Sequence, residues 1–255
     1  DRYNAGTIAI QKRFNSGNSL SIQYTRSSLR DKLNYLNPAN GVLEDRVSPN
    51  DRPNRLSIGT SLRLPFGKGQ RWGSGWKGGK EAILGGWQLS GTYQYQTGFP
   101  LSWGNSLYYT GDPSTLKSNI GAKCASGSGV SGLDCPAWDI SGFYINDATT
   151  QTNGAADPTK QRADQRIQLG NNVRYFPYTI ANVRAHDLHL LDLGLYKNFA
   201  LPRDVKLQIR IEAINALNYT VLFTPDLNPR NSTFGYITTD RNSPRDIQIG
   251  ARLTF

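Results

Sequence analysis

Apolar and polar residues alternate one by one along much of this chain, the period of a β-strand whose two faces meet different surroundings. The last stretch shows it most plainly. Ile247, Ile249, Ala251, Leu253 and Phe255 fall on one side, and Gln248, Gly250, Arg252 and Thr254 on the other. Residues 7–14 and 19–28 alternate about a short turn at 15–18 and predict a hairpin. Residues 55–66 set Leu56, Ile58, Leu62, Leu64 and Phe66 opposite Arg55, Ser57, Gly59, Ser61 and Arg63. Residues 86–103 form the longest run, with Trp87, Leu89, Tyr93, Tyr95, Phe99, Leu101 and Trp103 against Gln88, Ser90, Thr92, Gln94 and Gln96. Residues 187–199 and 205–217 make a further pair about a turn at 200–204. The pattern predicts about seven strands, residues 246–255 being the last.

The connections alternate in length. Those at 15–18, 67–85 and 200–204 are short, and those at 30–54, 104–186 and 218–245 are long. Short turns at one end and long loops at the other are the arrangement of bacterial membrane barrels. A soluble β-sandwich is the competing reading, but its strands average about five to six residues. At about 3.3 Å per residue, a tilted strand over 86–103 is long enough to cross a bilayer. The apolar faces then meet lipid, and the polar faces line a hydrated or plugged lumen. Trp87, Phe99, Trp103, Phe199 and Phe255 are the expected membrane-interface aromatics. Arg63, Asp192, Arg210, Glu212 and Arg252 are the lumen-facing candidates, either as a salt-bridged wall or as contacts to a plug or a passing substrate. Residues 104–186 are expected to be one long extracellular loop, and Phe255 to end at the periplasm.

Composition limits the alternatives. Of 255 residues 19% are charged, 26 are Gly and 13 are Tyr, and there is no Met. With a mean hydropathy of −0.52 and no run of about 18 apolar residues, a helical membrane protein is excluded, but a barrel is not. A start in mid-pattern without Met points to a fragment or a processed chain. The net charge of +10 is scattered, with no basic helix or run. Nucleic acid is therefore not expected as a partner, and attraction to anionic lipopolysaccharide fits better. Cys124 and Cys135 lie in a Gly/Ser-rich stretch and are expected to form a disulfide, which implies an oxidising compartment. The Gly-, Lys- and Trp-rich residues 67–85 imitate a phosphate loop. Ser74 stands where its first Gly belongs, and Glu81 follows Lys80 where Ser or Thr is needed. The segment is read as a turn with interfacial Trp72 and Trp76. His186 and His189 would need further ligands to hold a metal, and no HExxH or GxSxG pattern occurs. No catalytic, cofactor-binding or metal residue is expected, and no enzyme activity.

Several short segments, taken in order along the chain, carry a resemblance. They include Tyr3-Asn-Ala5, Lys12-Arg-Phe14, Ser21-Ile-Gln-Tyr-Thr25, Asp51-Arg52, Leu64-Pro-Phe-Gly-Lys-Gly69 and Gly86-Trp-Gln-Leu-Ser-Gly91. Thr97-Gly-Phe-Pro100, Asp192-Leu-Gly-Leu-Tyr-Lys-Asn-Phe199, Arg210-Ile-Glu-Ala-Ile-Asn-Ala-Leu-Asn218, Phe234-Gly-Tyr-Ile237 and Pro244-Arg-Asp-Ile-Gln-Ile-Gly250 follow. In this order and spacing the chain resembles the carboxy-terminal part of a TonB-dependent outer-membrane receptor of the Oar-like branch, whose amino-terminal part carries a carboxypeptidase-regulatory-like domain. The resemblance implies an all-β, antiparallel transmembrane barrel of about 22 strands with a plugged lumen. Residues 1–255 would be the carboxy-terminal sector of that one barrel domain, with the plug outside this chain. It also implies TonB as a partner through the plug, and remaining strands from the same longer chain or another subunit. A large substrate such as a peptide or glycan, and a place in the bacterial outer membrane, follow at family level. Ligand-binding residues vary among such receptors, so none is carried over. A barrel serving as a structural or adhesive surface protein is the alternative, and a soluble β-sandwich binding module a third reading.

Overall fold

A computed structural model describes residues 1–14, 17–37, 41–103, 108–109, 111–144, 176–203, 205–228 and 231–255. The strands are β1 (Arg2–Arg13), β2 (Ser19–Asp31), β3 (Arg46–Val47), β4 (Asn54–Arg63), β5 (Trp87–Gln96), β6 (Pro100–Ser102), β7 (Tyr108–Tyr109), β8 (Phe143–Tyr144), β9 (Thr179–Arg184), β10 (Leu188–Ala200), β11 (Lys206–Ile214) and β12 (Asp246–Thr254). A short helix, α1 (Gly79–Leu84), lies between β4 and β5. Seven strands pair in the order β1-β2-β4-β5-β10-β11-β12, with β3 added to the end of β2. Each is antiparallel to its neighbours, so the long strands follow one another as an up-and-down meander. The long strands are those expected from the alternation. The sheet does not close, and β1 and β12 each have one partner. Much of the loop expected at 104–186, and parts of the turns at 15–18 and 200–204, lie outside the described residues.

The registers sort the side chains into rows that run across the sheet. On one face Ile10, Ile22, Ile58, Tyr93 and Leu191 stand abreast. Below them Leu62, Leu89, Leu195, Ile211 and Ile249 do the same. On the other face Arg13, Ser19, Ser61, Ser90, Gly194, Glu212 and Gln248 form an unbroken row through all seven long strands. A slip of one residue would exchange the faces throughout, so two unlike surroundings fix the register. The apolar rows are not covered by another layer: Ile8 is 68% exposed and Ile249 76%. From His189 to Phe199, at about 3.3 Å per residue and a tilt of about 40°, the apolar face rises about 25 Å, the height of a membrane barrel's outer band.

The strands expected over 55–66 and 205–217 end at Arg63 and Ile214, and the one expected over 86–103 falls furthest short of its pattern. β5 ends at Gln96, and the chain leaves the sheet at Thr97–Pro100. The Gly98 N–H donates to the Asp187 carboxylate at 2.8 Å, and a Cβ at Gly98 would collide with the Ala185 carbonyl. Two residues assigned to the membrane interface are thereby corrected. Trp103 is fully buried (0% exposed) in a core of the long loops, edge-on to Trp138 and Phe176 and stacked on Phe143. Phe99 packs against that core, with the Arg52 guanidinium 4.5 Å from its ring centre. The aromatic rim at this end of the sheet is instead Tyr24, Tyr93 and Tyr95, on the apolar face with His189.

The described parts of the long connections pack together. Leu101, Phe143, Phe176, Val183 and Phe234 share the core with Trp103. The Cys124–Cys135 disulfide closes a hairpin beside it, as expected. Asp51 accepts from the Leu29 N–H and from Arg184, both at 2.8 Å, and Arg184 also donates to the Gly98 carbonyl. Ile237 N–H donates to the Gly132 carbonyl at 2.7 Å and Ala137 N–H to that of Gly235 at 2.8 Å, which brings in the last loop. His186 sits at the base. Its Nδ1 accepts from the Leu222 N–H at 3.0 Å, which leaves Nε2 to donate to the Tyr219 hydroxyl at 2.9 Å. Burial holds this imidazole below its ordinary value of 6.5, with Asp187 opposing the shift.

Leu195→Arg, near the middle of the apolar band, is expected to cost about 2–4 kcal/mol in a lipid environment. Gly59→Arg on the other face, where an added side chain meets nothing within 4 Å, is expected to leave stability near wild type. Urea unfolding in vesicles, followed by the heat-modifiable gel shift, compares them. For His186, a lowered folded value means that the unfolded chain binds more protons. Its contribution is complete above pH 6.5 and is lost as pH falls through the depressed folded value. The protection factor of the Leu222 amide, its exchange rate measured against the intrinsic rate at the same pH, is therefore expected to fall on acidification, and His186→Gln to remove that dependence.

Candidate functional site

Within the described sheet it is the polar face that has the makings of a site: small and hydrogen-bonding side chains stand where a wall would meet water. A groove of about 580 Å³ runs along it, lined by Gln11, Arg13, Ser21, Ser61, Ser90, Thr92, Asp192, Tyr196, Glu212 and Gln248 among others. Period two places each of them there, and the small residues keep the floor low. Tyr196 lies down over Gly194, where an added Cβ would come within 2.6 Å of its hydroxyl oxygen, and its hydroxyl bonds to Ser90. Gln88 donates to Ser61 at 2.7 Å, and Gln248 to Glu212 at 3.1 Å. Nearer the long loops a second groove of about 480 Å³ is lined by Tyr3, Thr7, Gln23, Thr25, Arg55, Ser57, Gln94 and Gln96.

The five charged residues singled out from the sequence share this face but are not gathered at one point. Arg210 and Glu212 lie 3.8 Å apart, both partly exposed, so the pair contributes little to stability. Asp192 is committed to the Asn215 backbone N–H at 2.9 Å. Arg63 stands opposite Gln88, and Arg252 opposite Gln208. Arg13, Arg55 and Lys206 share the same face. They are not among the five expected, although strand parity is the signal that finds them. At the loop end Arg52 is buried enough, and close enough to Arg241, Arg55 and Arg184, that its guanidinium is pulled down to about 10. It remains charged at neutral pH. The wall therefore carries more cations than anions, an arrangement that can hold polar or anionic groups by hydrogen bonds and field.

The other candidates are structural. Trp87 and Phe199 lie on the apolar face at the short-turn end, and Phe255 is 98% exposed beyond β12. His189 Nδ1 pairs with the Tyr93 hydroxyl at 2.9 Å, and His186 is engaged as described. Among the described residues no three His, Cys, Asp or Glu side chains converge to hold a metal. Among them, too, no helix is long and apolar enough to cross a membrane.

A family model described as the outer membrane beta barrel domain matches residues 1–248. Neither the curated proteins nor the solved structures yield a match to the chain. Together with an antiparallel meander that is apolar on one face and polar on the other, the match establishes that this chain belongs to the outer membrane beta barrel domain family, proteins of the bacterial outer membrane.

Proposed function

We propose that the chain forms a sector of a TonB-dependent outer-membrane transporter, of the Oar-like type that its sequence resembles. The observation that carries this reading is the unbroken polar row from Arg13 to Gln248 on a sheet whose edges stay open. Small barrels fill their interior with their own side chains. Here Ser, Gly, Thr and Gln leave the inner wall low, which suits a wide lumen holding water or a polar plug. An open strand edge cannot stand in hydrocarbon, where nothing satisfies its N–H and C=O groups. Further strands therefore complete the wall, and a plug from outside this chain fills the lumen in this reading. The long loops face the exterior, the 104–186 connection among them, and the short turns face the periplasm. The role is transport rather than catalysis. The cation excess on the inner wall favours polar or anionic surfaces of a plug or of a large cargo such as a peptide or glycan.

The intact mass of the polypeptide in detergent-extracted outer membranes is expected to be several times 28.2 kDa. The purified protein is expected to cross-link to the carboxy-terminal domain of TonB. A full-size barrel that shows no TonB contact under any ligand condition would instead make it a structural or adhesive surface protein.

A further inference from the structure

We propose that the β4–β5 connection, residues 64–86, is a membrane anchor that lies on the outer surface of the sheet and takes phospholipid headgroups of the periplasmic leaflet. The starting point is a misfit. β10 presents Leu191, Leu193, Leu195 and Phe199 on its apolar face, and Lys197 shares that parity. A bare ammonium there would face hydrocarbon, an expensive position that side chains escape by pairing or by reaching the interface. Lys197 is 4% exposed because α1 covers it. Its Nζ donates to the Glu81 carbonyl at 3.0 Å and to the Gly85 carbonyl, at the open carboxy-terminal end of the helix. The rings of Trp87 and Phe199 flank it, with centres 5.7 and 5.1 Å away. Trp87, on the same face, donates its indole N–H to the Ile83 carbonyl at 2.8 Å. Two outward side chains thus hold the connection against the lipid side of the wall, not across the lumen.

What the connection turns away from the sheet has the character of an interfacial segment. Ile83 is 69% exposed, and Leu84 and Trp72 are each 50% exposed. Lys68, Arg71, Lys77 and Lys80 belong to the same connection and are all exposed, with the Arg71 guanidinium 5.5 Å from the Trp72 ring centre. The single carboxylate of the segment, Glu81, is turned inward to accept the Lys68 backbone N–H at 2.9 Å. It nests where Gly67 approaches, at a backbone φ of 110° that suits glycine, and a Cβ there would meet Gly85 at 2.6 Å. Apolar side chains accompanied by cations, with the anion withdrawn, are the recipe for the headgroup and acyl boundary. The surface is continuous with the apolar rows of the sheet, and its charge complements anionic phosphates. The inference uses the membrane orientation proposed above, and does not depend on TonB or on transport.

The test uses the complete outer-membrane protein carrying this chain, in nanodiscs of phosphatidylethanolamine with or without phosphatidylglycerol. A bimane label is placed through Ile83→Cys, and separately through Leu84→Cys in case one variant fails to fold. Quenching by lipids spin-labelled near the headgroup, with little quenching by aqueous iodide, is the expected result. Strong iodide quenching, or shielding from both quenchers by a protein partner, would overturn the proposal. Lys77→Ser/Lys80→Ser is expected to weaken retention of phosphatidylglycerol in native mass spectra by roughly fivefold for each cation removed. Unchanged retention would refute the headgroup contact. Loss of TonB cross-linking would leave both readouts untouched.

Discussion

A strand that crosses hydrocarbon must hand its N–H and C=O groups to its neighbours, because nothing else there accepts them. The rest of this structure follows from that constraint. It requires long strands in continuous ladders, and consecutive antiparallel strands joined at alternating ends supply them. It also makes each side chain choose between lipid and lumen, so that the row through Leu62 and Leu195 is apolar while the row through Ser61 and Gly194 is polar. The ladder is unmatched only along the outer edges of β1 and β12. Those edges are where, on the function proposed above, further strands would attach.

The same constraint explains what could be read in advance. Between lipid and water, a residue on the wrong side is penalised at nearly every position, so alternation persists and all seven long strands show in the sequence. The exception is instructive. Phe99, Leu101 and Trp103 continue the parity of β5, yet the strand ends before them. The break comes from Asp187, far away in sequence, which takes the Gly98 N–H just where β10 begins. No local pattern encodes that encounter. Alternation past the break then serves a soluble-type core, in which Trp103 is one of the fully buried side chains. Arg63, Asp192, Arg210, Glu212 and Arg252 were legible as one face, because parity alone places them. Their cross-strand neighbours, Gln88 for Arg63 and Gln208 for Arg252, were not, because these depend on which strands are adjacent.

Membrane sheet and loop layer are stabilised differently. The sheet has no core of its own among the described residues, and its apolar face needs lipid. The loop layer stands in water and has to bury aromatic side chains to hold a shape. Its ring contacts, each contributing about 0.5–1.5 kcal/mol beyond area burial, involve Trp103, Trp138, Phe143, Phe176 and Phe234. The Cys124–Cys135 disulfide and the Asp51–Arg184 pair tie segments to that nucleus.

Charge is the feature that sequence left most ambiguous and that the fold resolves by location. The excess of +10 does not form one basic patch. Part lies on the inner wall, at Arg13, Arg55, Arg63, Lys206, Arg210 and Arg252, facing the lumen side. Part lies at the loop end around Arg52, where burial, and then the neighbouring Arg241, Arg55 and Arg184, lower the guanidinium value. A third group, Lys68, Arg71, Lys77 and Lys80, lies on the β4–β5 connection that contains α1, at the short-turn end. Lys197 was the visible clue to this last group: a cation on the apolar parity of a membrane strand is intelligible only if something polar folds over it. The carbonyl end of α1 does so, and in doing so carries the segment's cations to the outer rim, where headgroup phosphates lie.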